Sequence, residues 1–382
     1  MDRSHARYLE RRHFAGLDGV RAIAILAVIW HHAPHPAGLP MMERGFMGVD
    51  LFFVLSGFLI STLLIREKAK TGRISLKNFW MRRLLRLVPA YYFVLIALTG
   101  AYLLLKPGDP DTARLAGGFP VYALYLSNWI HPGAPNLGPT WSLATEEQFY
   151  LVWPLFEAFA SPLVMLASWA GALIFNQAIN FGALDGAFLA LAGGTGPLPE
   201  ILDTTFTPIL LGVGLAHALD HARTFPLVSA AAGFRFAPVA WGGLFIILLN
   251  IPVADISGLV RLCLHIAATG FIASIILQPE AMTTRALEFR PLAYIGMVSY
   301  GMYLYHMLCL YAAGVVAGKT GLPAFPTAFL LGVALTVMIS SASYFLLERR
   351  FLDLRRKFRT ERTLSDDHAG GRVHGGEQQA GE

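Results

Sequence analysis

Apolar runs of about 20 residues, each long enough to cross ~30 Å of hydrocarbon as a helix, follow one another from Leu17 almost to the end of the chain. In order, they lie near residues 17–35, 46–65, 87–105, 142–159, 162–182, 201–218, 237–253, 258–278, 291–316 and 324–347. The pattern predicts an all-α membrane protein, a polytopic bundle of about ten transmembrane helices. A further stretch from Phe119 to Ile130 is too short to span and is expected to be re-entrant or interfacial. The connections are short, so no separate soluble domain of useful size is expected. No internal repeat of the kind that builds inverted-repeat transporters is evident.

Composition strengthens this picture. Of 382 residues, 55% are hydrophobic and only 14% charged, against about a quarter charged in soluble chains. The formal net charge of +5 does not point to nucleic acid, because the basic residues sit between the apolar runs, where the positive-inside rule accounts for them. The strongest positive connection holds Arg66, Lys68, Lys70, Arg73, Lys77, Arg82, Arg83 and Arg86 against the single acid Glu67, which assigns that side to the cytoplasm. Counting spans from it puts both termini inside. The expected organisation is a cytoplasmic N-terminal segment (1–13), a transmembrane domain (14–356) and a mostly disordered cytoplasmic tail (357–382), whose Gly, Glu and His-bearing sequence cannot bury a core. A Gly and Pro-rich segment, GGTGPLP, falls on an outer connection. The N-terminal RSHARYLERRHF resembles the start of a signal peptide, but Arg21 interrupts the apolar run and no small-residue cleavage site follows. It reads as the flank of an uncleaved first span. The two cysteines, Cys263 and Cys309, each lie inside an apolar run and define neither a disulfide framework nor a zinc site, so no metal is expected.

Ionisable groups at membrane depth are costly and usually functional, and they single out a few positions. In LDGVRAIAILAVIWHHA, eleven residues separate Arg21 from His32, which at 3.6 per turn brings both to one helical face about 16 Å apart along the axis, with His31 a quarter-turn away. In an isolated helix, Arg21 would snorkel to headgroups and His32 would cap the last carbonyls. Asp50 follows at similar depth on the antiparallel neighbour, so carboxylate and imidazole are expected to meet, the carboxylate orienting the ring and raising its basicity as a general base requires. WSLATEEQFYLVWP puts Glu146 and Glu147 about one turn inside another helix, with Ser142 placed as an N-cap. MRRLLRLVP sets Arg82, Arg83 and Arg86 on nearby faces at an inner mouth. That geometry suits bidentate binding of phosphate, whether of a substrate or of a lipid headgroup. SYGMYLYH sets Ser299, Tyr303 and His306 on one face, where hydrogen bonding between helices is the alternative to chemistry.

Assembled, these residues resemble the acyltransferase 3 family of polytopic bacterial membrane O-acyltransferases. The likeness runs from about Phe14 to Arg356 and rests on LDGVRAIAILAVIWHHA, GFMGVDLFFVLSGFLIST, RRLLRLVPAYY, TWSLATEEQFYLVWP, IGMVSYGMYLYH and SYFLLERRF, in that order. The resemblance implies transfer of an acyl group, acetyl most often, from cytoplasmic acyl-CoA to a hydroxyl of a sugar, cell-surface glycan or related acceptor. It implies a place in the bacterial cytoplasmic (inner) membrane. It further implies catalytic roles for Arg21, His32, Asp50 and Glu146, donor-phosphate binding by Arg82, Arg83 and Arg86, and substrate or structural roles for Ser142, Tyr303 and His306. The family's Arg-to-His spacing selects His32 over His31. The expected mechanism is direct: His32, oriented by Asp50 or Glu146, takes the acceptor proton as oxygen attacks the thioester, with Arg21 or Tyr303 donating to the oxyanion. An acyl-enzyme on Ser or on His32 itself is the other route. The rival class is a proton-coupled transporter of a small polar or acylated solute, which would use the same buried His, Asp and Glu as a relay.

Overall fold

The computed structural model describes residues 3–35, 38, 40–191, 205–253 and 256–358; GGTGPLP and all of the tail beyond Phe358 lie outside the described residues. The described chain is helical, with no strand among its residues. It opens with α1 (Arg3–Glu10), α2 (Leu17–His32) and the single turn α3 (Pro40–Glu43), followed by the long α4 (Met47–Thr71) and α5 (Leu76–Leu105). Then come α6 (Pro110–Ala123), α7 (Thr140–Phe159), α8 (Pro162–Asn180) and α9 (Asp185–Leu191). Beyond residue 205 lie α10 (Thr207–Asp220), α11 (Phe225–Ala232), α12 (Ala237–Leu249), α13 (Gly258–Leu277), α14 (Met282–Leu287) and α15 (Arg290–Met297). The last helices are α16 (Ser299–Thr320), α17 (Ala324–Ser343) and α18 (Arg349–Leu354), with one wide π-turn, Tyr344–Glu348, between α17 and α18.

Each stretch read as a span contains a helix. Six among the described residues are long and apolar enough to cross a membrane: α4, α5, α8, α13, α16, and α17 continued to Leu354. A seventh is formed if α11 and α12, bent by 71°, are one broken span. The others fall short for different reasons: α2 has 16 residues, α10 has 14, and α7 carries Glu146, Glu147 and Glu157. The stretch from Phe119 to Ile130 is the end of α6 and a turn, tied to α5 by Tyr91 Oη donating to the Tyr122 carbonyl (2.9 Å) and Tyr92 Oη to that of Ala123 (2.5 Å).

Local sequence explains where these helices begin and end. Asp109 caps α6 by accepting from the Asp111 amide at 2.8 Å, with Pro110 at the first helical position. α4 stops at Gly72, which adopts the left-handed φ of 77° that a helix end favours. Over its 30 residues α5 extends about 45 Å, longer than the hydrocarbon layer. Pro89 divides its basic first turns from its apolar remainder.

Backbone approach governs the packing. A Cβ at Gly57 of α4 would run into the Ile209 carbonyl of α10, and one at Gly212 into the Val54 carbonyl, so the two helices meet through a reciprocal glycine contact. One apolar core joins α2, α5, α7 and α16, and a second joins α1, α2, α4, α10 and α13. The outer faces carry exposed Ile96, Leu104, Phe159, Ile174 and Leu330, as expected where lipid rather than water is the solvent. The N-terminal segment is docked rather than loose: Tyr8 is buried against Phe14 and Phe225, and Arg66 lies over the rings of Tyr8 (5.4 Å) and Phe14 (5.2 Å).

Candidate active site

α2, α4, α5, α7 and α16 enclose a cavity of about 350 Å³, within the usual size of a ligand pocket. Each wall is one helical face. α4 presents Val49, Phe52, Phe53, Ser56, Leu59, Ile60 and Leu63; α5 presents Phe79, Arg82, Arg83, Arg86 and Leu87. α7 adds Ser142, Leu143, Glu146 and Tyr150, α16 adds Ser299, Tyr300 and Tyr303, and α2 adds Arg21. The spacings of three, four and seven are those of residues stacked along one side of a helix.

The arginines are not equivalent. Arg82 is engaged, donating from Nη1 to the Phe358 carbonyl (2.8 Å) and pairing through Nη2 with Glu67 (3.3 Å). Arg21 pairs with Asp18 at 2.8 Å. Arg86 forms neither a hydrogen bond nor an ion pair among the described residues. Arg83 forms no hydrogen bond or ion pair among the described residues; it lies over Tyr150 at 5.1 Å and Phe79 at 5.8 Å, near enough to the Glu146 and Glu147 carboxylates to feel their charge. Two guanidinium groups thus face the cavity with their donors uncommitted, the arrangement that receives phosphate oxygens.

Glu146 shares this cavity with the arginines. Its expected neighbour His32, which Asp50 or Glu146 was to orient, does not line this cavity. Glu146 Oε1 accepts from Ser56 Oγ at 2.6 Å, and Ser56 Oγ in turn accepts from Tyr150 Oη at 3.0 Å. At another edge of the cavity, Ser142 Oγ and Tyr303 Oη share a hydrogen bond at 2.6 Å, and both lie within reach of the Pro139 carbonyl, at 3.1 and 2.8 Å, which accepts from whichever hydroxyl does not donate to the other. Ser142 is therefore part of a hydroxyl cluster and does not cap α7. Tyr303 and Leu143 also line a second, much smaller chamber with Asn136, Leu137 and Thr140, so the Tyr303 ring separates the two spaces.

His32, His306 and Asp50 do not line the cavity. His306 adjoins Tyr303, with ring centroids 5.5 Å apart, and His32 adjoins His306 at 5.0 Å. The pairing of Asp50 with His32 is not what the structure contains: Asp50 Oδ2 binds His265 Nε2 of α13 at 3.0 Å, in a pair sealed from solvent. Helical phase is the reason. Val49 faces the cavity, and Asp50, the next residue, points about 100° away towards α13. His32 is oriented instead by its own helix, Nδ1 donating to the Val28 carbonyl at 2.9 Å. His31 donates from Nδ1 to the Glu43 carbonyl at 2.8 Å.

The acyltransferase 3 family model, described as an acyltransferase domain, matches residues 14–345. The chain belongs to the acyltransferase 3 family. It is 31% identical to the peptidoglycan O-acetyltransferase OatA of Listeria monocytogenes over 325 residues, covering 78% of this chain and 49% of that protein. It is 28% identical to the O-acetyltransferase OatA of Staphylococcus aureus over 366 residues, covering 91% and 59%. The chain therefore spans about half the length of the curated relatives it matches. No solved structure matches it. The acyltransferase 3 match takes in every helix that lines the cavity.

Within this acyltransferase-family domain, sequence reasoning passed over Ser56, Tyr150 and His265. Tyr150 was within reach, since it stands four residues after Glu146 on the same face. Ser56 repeats the spacing of Val49, Phe52 and Phe53, a signal that has meaning only once a neighbouring helix is known to face it. His265 is separated from Asp50 by 215 residues, and no local pattern joins them.

Proposed function

We propose that the chain is a membrane O-acetyltransferase that takes an acetyl group from cytoplasmic acyl-CoA and delivers it to a hydroxyl of a sugar or cell-surface glycan. We place it in the bacterial cytoplasmic membrane with both termini inside, on the positive-inside rule. The observation that carries the reading is the cavity: uncommitted Arg83 and Arg86 on α5, with a Ser142–Tyr303 hydroxyl cluster on another wall, bordered by the His306 imidazole, behind which stands His32. The names of both relatives support acetyl as the group, and that of the Listeria protein supports glycan as the acceptor class.

In this mechanism Arg83 and Arg86 hold donor phosphates at the inner mouth, with Arg82 as a third, already anchored cation. The thioester arm lies along the apolar wall of Phe52, Phe53, Ile60 and Leu87. His32 is the base. Its Nδ1 proton is held by the Val28 carbonyl, so Nε2 presents the lone pair that takes the acceptor proton. Tyr303, with a hydroxyl at the cavity edge, is placed to donate to the oxyanion on turning from Pro139, and Arg21 supplies positive charge to the same space. Asp50 is assigned to holding α4 against α13 and takes no part in the chemistry.

The test is acetyl transfer by the purified full chain in nanodiscs, followed as release of CoA from acetyl-CoA. Alongside it, mass spectrometry compares envelope glycans from cells with and without the gene. Release that is lost in His32→Phe, together with glycans lacking one acetyl group in cells without the gene, is the expected result. Substrate flux across the membrane with no CoA release, and unchanged glycans, would overturn it.

A further inference from the structure

The small chamber beyond Tyr303 continues the faces that wall the large cavity. On α5 the cavity face ends at Arg86 and Leu87, and Tyr91, Val94 and Leu95 carry it onward into the chamber at spacings of three and four. On α7 and α16 the two spaces share Leu143 and Tyr303. From Phe79 to Leu95, α5 rises about 24 Å, most of the ~30 Å of hydrocarbon. The remaining side of the chamber is the α6–α7 connection, on the outer face by the positive-inside rule. Cavity and chamber are two lengths of one path from the arginines to that connection, parted by the Tyr303 ring.

Hydrogen bonds hold the parting ring. Tyr303 Oη lies 2.6 Å from Ser142 Oγ and 2.8 Å from the carbonyl of Pro139, a residue of the connection itself. Pro135 and Asn136 form the centre of a turn there, closed by the Leu137 amide donating to the Ala134 carbonyl at 3.4 Å. Asn136 has a φ of 63°, which the second central residue of such a turn can require and which Gly or Asn supplies. The turn explains the backbone and leaves the side chain over. Gly would serve the turn equally, yet a half-buried Asn136 lines the chamber, and its amide, able to donate and accept, has no hydrogen-bond partner among the described residues. The chamber holds about 10 Å³, room for one water-sized group, against the apolar walls of Val94, Leu95 and Leu304.

We infer that this chamber is the acceptor port: one hydroxyl of a glycan on the outer face, with the carbon that bears it, enters past Asn136 and is handed to the donor cavity at Tyr303. The inference rests on the acyl-transfer reading above and adds to it where the acceptor binds. An uncharged amide fits a polyhydroxyl ligand because it both gives and takes hydrogen bonds. When Tyr303 turns from Pro139, the motion that frees its hydroxyl for the oxyanion also joins chamber to cavity. The imidazoles stand by the same ring, His306 adjoining Tyr303 at 5.5 Å and His32 adjoining His306 at 5.0 Å. Donor and glycan each keep to their own side of the membrane and meet at Tyr303.

A thiol placed at the port reads it directly. Intact cells carrying the full chain with Asn136→Cys are treated with a membrane-impermeant methanethiosulfonate bearing a trimethylammonium group. New base-labile acetate on their envelope glycans is then followed from ¹⁴C-acetate. Labelling from outside should abolish that acetylation, while the labelled protein in nanodiscs binds acetyl-CoA as tightly as wild type. Treated wild-type cells set the baseline for the native Cys263 and Cys309. Gly138→Cys is the control on the same connection, exposed and with nothing within 4 Å of a Cβ; it should take the label and keep its acetylation. Asn136→Gly preserves the turn and removes the amide, and should lower acetylation ~5-fold, the worth of about one hydrogen bond. The port is overturned if Asn136→Cys cannot be labelled from outside, if it is labelled and acetylates as before, or if Gly138→Cys is blocked to the same extent. Should Asn136→Cys lose donor binding, Asn136→Gly decides, and wild-type acetylation there overturns the port as well. Wild-type cells that acetylate no glycan would sink the acyl-transfer reading; acetylation that is indifferent to both Asn136 variants would sink the port alone.

Discussion

His265 and His306 are both withdrawn completely from solvent, each on a long apolar helix, and each keeps one ring nitrogen without a partner. Their other contacts differ. His265 gives its Nε2 to Asp50 in a buried pair between α13 and α4, and neither residue lines the cavity of the candidate site. His306 gives its Nδ1 to its own helix and turns the rest of its ring towards His32, one turn from the Tyr303 hydroxyl that borders the cavity. An unpaired ring nitrogen therefore does not by itself distinguish chemistry from structure. What separates the two is whether the ring can exchange a proton with something that reaches the substrate space. An acid and an imidazole locked together between two helices act as a joint; two imidazoles beside a hydroxyl cluster form a site.

The largest effect expected from this contrast is at His32. His32→Phe should lower acetyl transfer by ~10²–10⁴-fold, the range for loss of a general base, while thermal unfolding in nanodiscs stays close to wild type. Asp50→Ala should do the reverse. It removes one partner of a buried pair and should cost about 3 kcal/mol of stability, measured by denaturation, with activity per folded molecule retained. If Asp50→Ala instead abolished transfer with stability intact, the division between joint and site would collapse.

Smaller effects sharpen the other end of the cavity. Arg83→Ala and Arg86→Ala should each raise KM for acetyl-CoA ~10-fold, about 1.4 kcal/mol of binding, with kcat little changed. Arg82→Ala should raise it less, because its guanidinium is already held by Glu67 and the Phe358 carbonyl. An equal or larger effect at Arg82 would mean that the donor displaces those contacts. The smallest expected change is at Ser56. Ser56→Ala deprives Glu146 of its 2.6 Å donor and should cost about 1 kcal/mol, visible as a few-fold fall in rate.

The cavity-lining candidates were legible for a simple reason. Arg82, Arg83 and Arg86 share a face of α5, and Ser142 and Glu146 share a face of α7, because spacings of three and four do so in any helix. Charged and hydroxyl side chains in apolar surroundings then mark that face as costly to bury. His32 and Asp50 show where such reasoning stops. Similar depth on adjacent antiparallel helices was a sound argument for contact, but depth is only one coordinate. Rotation about the helix axis is the other, and it sends Asp50 to α13.

The amino-acid sequence by itself determined the helical class, the position of each apolar segment, the residues that share a helical face, and membership of the family through its ordered motifs. All of these depend on short-range periodicity or on matching strings. Only the tertiary structure decided which faces meet: Glu146 with the arginines, Asp50 with His265, His32 with His306. Those partners are set by how closely and at what rotation helices pack, as where Gly57 and Gly212 let α4 and α10 touch backbone to backbone. Two of these contacts, Asp50 with His265 and His32 with His306, join residues more than 200 positions apart, and no local pattern along the chain encodes any of them.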